Sequence, residues 1–323
     1  MAVKRTIKRA DVDTRITVKE AFESFILEKE ARNLAPKTIQ NYQQSFDFFC
    51  KYHKIDDTTL LETIDEKYIY KWISSLKKND VKPSSINHYL RDIRTFFNWC
   101  FAKEYCTPFA IKEIEAQEES LKLYTDEEIE KLLEKPDRRA DYAEWRTYAM
   151  IALMTASGAR ADTTINMKVC DIDFVEKNVI FGKTKNKKYS SVPLSGALET
   201  VMKEYIKLWR TTECTPDSWL FARSDGQKLT YNAARLAFKR YCDRRGVQKH
   251  NLHGLRHNFA KNYIKGNGNA MKLQQILGHS SLNTTRRYVK LFTQDLKEDY
   301  DDLSLLDNVK KGTSRKKLVK RSN

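Results

Sequence analysis

The 323 residues, 41% of them hydrophobic, are enough to bury two cores, and the formal net charge of +16 points to a polyanionic partner. No stretch reaches the roughly 18 apolar residues of a membrane span. The opening "MAVKRTIKRADVDTR" has no apolar run of the kind a secretory signal needs, so a cytoplasmic, nucleoid-associated protein is expected.

The charge is uneven. Lys4, Arg5, Lys8 and Arg9 make a basic arm within residues 1–16, and Lys310, Lys311, Arg315, Lys316, Lys317, Lys320 and Arg321 make a basic tail within residues 300–323. No acid lies within residues 1–9 or 310–323, which leaves the body mildly basic; to hold a polyanion it must sort its charges onto one face. Cys50, Cys100, Cys106, Cys170, Cys214 and Cys242 stand without a CxxC pair or a regular spacing. That argues against a zinc ribbon and a secreted disulfide framework, and leaves reduced, mostly buried thiols.

Over residues 17–106, apolar side chains recur at helical spacing in four segments: Val18, Phe22, Phe25; Ile39, Tyr42, Phe46, Phe49; Ile69, Trp72, Leu76; and Ile86, Leu90, Ile93, Phe97, Cys100. Pro36 and Pro83 mark two helix starts, Asp65 is placed to cap a third, and "KKND" ends that one. The aromatic stripes read as core. On the opposite faces Lys37, Arg91 and Arg94 are the candidates for phosphate contact. Residues 107–123, which take in nearly all of "CTPFAIKEIEAQEESLK", read as an exposed linker.

A second region follows over residues 124–299. Thr125 with Glu128 makes a capping box. A longer helix is expected over 141–156, then the turn "ASGAR" and a short helix. In "NVIFGKTKNKKYSSVPL" β-forming residues flank a Lys/Asn turn, which predicts two or three short strands. Helices resume around 195–210, 230–245, 254–265, 270–277 and 283–290. The expected fold is mainly α with one small β-sheet.

"HGLRHNFA" at 253–260 and "LGHSSLNTTRRYVKL" at 277–291 gather histidines, arginines and a tyrosine within a short span. Metal binding is one reading: His253 and His257 sit at i and i+4, with His279 as a possible third ligand. It loses because Gly254 stands where a metalloprotease helix carries its glutamate, and no cysteine or acid sits at ligand spacing. Neither a metal nor any other cofactor is expected. Phosphate chemistry is the other reading. Attack on a phosphodiester builds charge on its nonbridging oxygens, and arginine meets it with a permanent charge and a planar fork of donors. Tyrosine is a weak nucleophile near neutral pH and needs a base or a positive potential beside it.

The ordered set of motifs resembles the tyrosine recombinase family, the phage-type integrases and Xer-like recombinases, from "NLAPKTIQNYQQSFDFF" to Tyr288. "TASGARADTTINMKVCDID" is similar to the family's first-arginine box and places that arginine at Arg160. "GKTKNKKYSSVPL" is similar to its β-hairpin lysine segment, "HGLRH" fits H-x-x-R with His253 and Arg256, "LGHSS" supplies His279, and Tyr288 follows nine residues later. The resemblance implies a helical, SAM-like core-binding domain and a mixed α+β catalytic domain that close as a clamp around duplex DNA.

It further implies catalysis by Arg160, Lys185, His253, Arg256 and His279, with Tyr288 as nucleophile. His253 could serve as base, and Lys185, counted back from "VPL", would protonate the leaving oxygen, with Lys183 as the fallback. The product would be a 3′-phosphotyrosyl intermediate and a free 5′-hydroxyl, without ATP. Strand exchange would run through a Holliday junction in a homotetramer on DNA. The alternatives are a type IB topoisomerase and a catalytically inactive DNA-binding regulator.

Where the family usually has an acid, three residues after the first arginine, this chain has Thr163, beside Asp162. One of these two is expected to take over the bracing of the site. The first helical region begins only 16 residues into the chain, which leaves too little for an additional arm-binding domain, so a simple core site with two inverted binding elements is expected. Leu303, Leu305 and Leu306 are candidates for a contact with a neighbouring protomer, or for a local helix folded back on its own domain.

Overall fold

The computed structural model describes residues 16–116, 123–182, 190–209 and 215–278, together with 285, 286 and 288. The chain divides into two units, 1–119 and 120–323.

The first unit is built on the four expected helices: α1 (Val18–Ala31), α2 (Pro36–His53), α3 (Glu66–Lys78) and α4 (Pro83–Ala102). Thr17 and Glu20 close a capping box on α1, the Asp65 carboxylate accepts from Lys67 N on α3, and Pro36 and Pro83 open α2 and α4. The aromatic stripes are buried: Phe22, Phe25, Phe46, Phe49, Trp72, Phe96 and Phe97 share one core.

The linker begins later than the sequence suggests. Ile111 is 6% exposed, Phe109 and Ile114 pack on the same core, and the Asn87 side chain exchanges two 2.9 Å hydrogen bonds with the Ile114 main chain. Three apolar residues without helical period lay the chain across α4. It belongs to the first unit at least as far as Ile114.

In the second unit, Thr125 and Glu128 form the expected capping box on α5 (Asp126–Leu133). The organising element is α6 (Tyr142–Ser157), buried on nearly every side from Trp145 to Met154. A helix that apolar must be surrounded. Packed against it are α5, α7 (Ala161–Ile165), α8 (Gly196–Trp209), α9 (Tyr231–Arg244) and α10 (Leu252–Lys265); α11 (Ala270–Leu277) packs on α10.

Three antiparallel strands, β1 (Ile172–Asp173), β2 (Asn178–Phe181) and β3 (Ser190–Pro193), pair in the order β1-β2-β3, with Ile172 opposite Val179 and Val179 opposite Val192. β3 also packs against α11, so the sheet that carries the lysine segment abuts the helix that ends at Leu277. Among the described cysteines Cys50, Cys100 and Cys242 are buried thiols, while Cys106 is half-buried and Cys170 exposed. No helix among the described residues is long and apolar enough to cross a membrane.

Candidate active site

The site is assembled where two helices end. α6 stops at Gly158, which takes φ +66° and returns its N–H to Met154 O. α11 stops at Gly278 with φ +61°. Each end leaves main-chain carbonyls without a partner in their own helix, carrying the negative end of the helix dipole.

Those carbonyls hold the two arginines. Arg256, on α10 and only 2% exposed, donates from Nη1 to Gly158 O and from Nη2 to Leu277 O, both at 2.8 Å. Arg160, half-buried in the extended step between α6 and α7, donates from Nη1 to the same Leu277 oxygen at 3.4 Å. Carbonyls orient the forks without cancelling their charge, which leaves two like charges side by side. Burial, then the charge of Arg160, pulls the Arg256 guanidinium down to about 10, while the Tyr288 hydroxyl works in the opposite direction. It remains a cation at neutral pH.

Tyr288 is 4% exposed and packs with Ala260, Leu273 and Leu277 of its own unit. Its hydroxyl lies 2.7 Å from His257 Nδ1 and within hydrogen-bonding reach of Arg256. His253, one turn earlier on α10, places its ring 4.6 Å from that of His257. Its outer surface is exposed, yet neighbouring protein partly desolvates the ring, and that effect, followed by the charges of Arg256 and Arg160, lowers its pKa below the usual histidine value. Behind α10, Asn258 is 1% exposed and pairs with the main chain of Tyr124, accepting from N at 2.8 Å and donating to O at 2.7 Å. That bond ties the helix to the start of the unit.

The structure thus brings Arg160, Arg256, His253 and Tyr288 together. His279, Lys183 and Lys185 lie outside the described residues, as do Leu303, Leu305 and Leu306. Asp162 is exposed and Thr163 half-buried, and neither side chain hydrogen-bonds a described residue; the bracing found here comes from the carbonyls of Gly158 and Leu277. In the first unit Lys37 and Arg91 are exposed. Arg94 is instead committed to Glu113, at 2.8 Å, and to Ile111 O at 3.4 Å. Its partner Glu113 belongs to the segment expected to be linker.

Two contributors escaped the sequence reading. Gly158 was legible only as a turn, and His257 only as a metal ligand. Gly158→Ala is expected to be severe. An added Cβ would lie 2.5 Å from Phe259 Cδ1 and 2.7 Å from Leu277 Cδ2, in a left-handed backbone that alanine adopts at a cost. The sum is about 2–5 kcal/mol, readable by urea unfolding, with the clash falling on the residue whose carbonyl holds both arginines.

The phage integrase family model matches residues 122–295, and that of the phage integrase N-terminal SAM-like domain matches residues 22–104. The tyrosine recombinase XerC of Roseiflexus sp. (strain RS-1) is 25% identical over 270 residues, 81% of this chain and 86% of its own length. The tyrosine recombinase XerD of Listeria innocua serovar 6a is 26% identical over 277 residues, 83% and 93% respectively. Among solved structures, the Tn1549 transposon integrase in complex with circular intermediate DNA aligns with a TM-score of 0.69 at 16% identity, over 84% of this chain and 95% of that one. A lambda integrase dimer bound to a core site aligns at 0.67 and 17% identity, over 84% and 95%. These two establish likeness of fold.

Proposed function

The chain belongs to the phage integrase family and is a tyrosine-type site-specific recombinase acting on DNA, and from that premise we propose how its residues divide the work. Tyr288 attacks a phosphodiester of duplex DNA, forms a 3′-phosphotyrosyl bond and expels a 5′-hydroxyl. Arg160 and Arg256 bind the nonbridging oxygens, with His279 as a third donor. The bond energy is kept in the covalent intermediate, so attack by another 5′-hydroxyl reseals the strand without ATP. Four protomers on two core sites, each made of two inverted binding elements, exchange strands through a Holliday junction. Lys37 and Arg91 face the DNA backbone.

The observation that supports this best is the pair of guanidinium groups gathered on the Leu277 carbonyl, with the Tyr288 hydroxyl beside Arg256. Two uncancelled positive charges next to a tyrosine hydroxyl serve an anionic substrate that the tyrosine attacks. The test is a nicked duplex that loses its 5′ fragment on cleavage and so traps the covalent complex. The site in that duplex is one the protein itself selects from a random-sequence pool. A complex formed on that site supports the reading. Binding without any complex would mark a DNA-binding regulator, and relaxation of supercoiled DNA lacking the site would mark a type IB topoisomerase.

The leaving 5′-oxygen needs a proton. Lys185, in the segment joining β2 to β3, supplies it: a flexible stem and an adaptable pKa suit lysine to the role. Lys185→Ala is expected to slow cleavage about 10²-fold or more. A bridging 5′-sulfur, which leaves unprotonated, restores most of that rate but does not rescue Arg160→Ala. Rescue of Lys183→Ala instead would move the role to Lys183.

A further inference from the structure

The reaction moves two protons, and the leaving group's acid accounts for one. The other must leave Tyr288 as its oxygen bonds to phosphorus. The motif alone would hand that proton to His253. The geometry points to a different side chain: we propose that His257 is the general base for Tyr288, its Nδ1 receiving the hydroxyl proton. This rests on the strand-cleavage reading above.

Hydrogen-bond direction carries the argument. His257 Nδ1 and the Tyr288 oxygen are 2.7 Å apart, within the range a proton transfer requires. Alone, that contact has two forms, with the hydroxyl donating to a bare Nδ1 or an Nδ1–H donating to the oxygen. Arg256 favours the first. A guanidinium has only donors, so its bond to Tyr288 uses the oxygen as acceptor. The hydroxyl still has its own proton to place, and Nδ1 at 2.7 Å is an acceptor within reach of it.

That places the resting His257 in the Nε2–H form, with Nδ1 bare and aimed at the nucleophile. In the attack the Oη–H bond breaks, the proton passes to Nδ1, the Oη–P bond forms and the P–O5′ bond breaks. The departing oxygen takes its proton from the separate acid. Religation reverses each step, and the imidazolium returns its proton to Tyr288. His253 sits against His257 ring to ring at 4.6 Å, and among the described residues Arg256 and Arg160 are the charged groups that act on His253.

The nicked suicide duplex described above tests this in full-length protein, with Tyr288→Phe as the control that forms no complex. His257→Ala and His257→Asn are expected to bind the duplex as the parent does and to form the covalent complex about 10²-fold more slowly or worse. Added imidazole should recover part of the rate in His257→Ala, an effect that a merely structural histidine would not show. A bridging 5′-sulfur should recover none, because departure of the leaving group is not the step that has been slowed.

If the parent protein makes no covalent complex, the cleavage reading fails. If it does and His257→Ala keeps pace with it, the base assignment alone fails. Rescue by sulfur would make His257 the acid and overturn the proposal equally. Nitrogen-15 spectra of the DNA-free parent protein test it without a variant in the site: a bare Nδ1 on His257 at neutral pH supports the assignment, and an Nδ1–H overturns it.

Discussion

Arg256→Lys is expected to fold and to cleave at least about 10²-fold more slowly than the parent in a single-turnover assay. The charge survives the substitution, so charge cannot be what is lost. Arg256 reaches two carbonyls at once, Gly158 O and Leu277 O, each at 2.8 Å, because its nitrogens are fixed in a plane. An ammonium is a single point on a flexible stem and cannot reproduce that fork, so it will settle toward one carbonyl and leave the other wanting. An unsatisfied buried carbonyl costs about 1–3 kcal/mol. Arg256→Ala goes further in the same direction, because it removes a cation beside the attacking oxygen along with both bonds. The comparison separates roles: comparable thermal stability in the two variants, with slower cleavage in alanine, assigns the difference to the positive charge.

Much of the scaffold was legible because its signals are local. Pro36, Pro83, Asp65 and the Thr125–Glu128 pair act within a single turn, and period 3.6 exposes a buried face wherever it is sustained. Residues 107–114 had no such period. Their burial depends on Asn87, which receives Ile114 across 27 positions of chain. The ion pair of Arg94 escapes the sequence for the same reason, since Glu113 reaches it only once that segment is laid down.

In the site, Arg160, Arg256 and Tyr288 are recognisable by side-chain type and order. Their anchors are not, because a carbonyl has no residue signature and the acceptors at Gly158 and Leu277 would be carbonyls whatever the side chain. The choice between His253 and His257 also escapes the sequence. They sit at i and i+4 on one helix face, and which of them meets the tyrosine is set by where residue 288 docks, in the cluster of Ala260, Leu273 and Leu277.

That docking leads to the largest expected effect. Tyr288→Phe should abolish the covalent complex while leaving DNA binding and fold in place. The ring is retained, and with it the packing against Ala260, Leu273 and Leu277; what disappears is the hydroxyl's hydrogen bond to His257, about 0.5–1.5 kcal/mol, and the one it accepts from Arg256, about 1.5–3 kcal/mol. Tyr288→Ala would confound the two, since it also empties a buried site. Because the hydroxyl rests on His257 and Arg256 of its own unit, cleavage is expected to occur in cis. A mixture of Tyr288→Phe with Arg256→Ala protomers on one DNA site therefore has no route to activity. The first supplies arginines without a nucleophile, the second a nucleophile without its full set of arginines. If the mixture traps the covalent complex at a rate well above either variant alone, the tyrosine of one protomer has entered the site of another, and the docking seen here is not the one that cleaves.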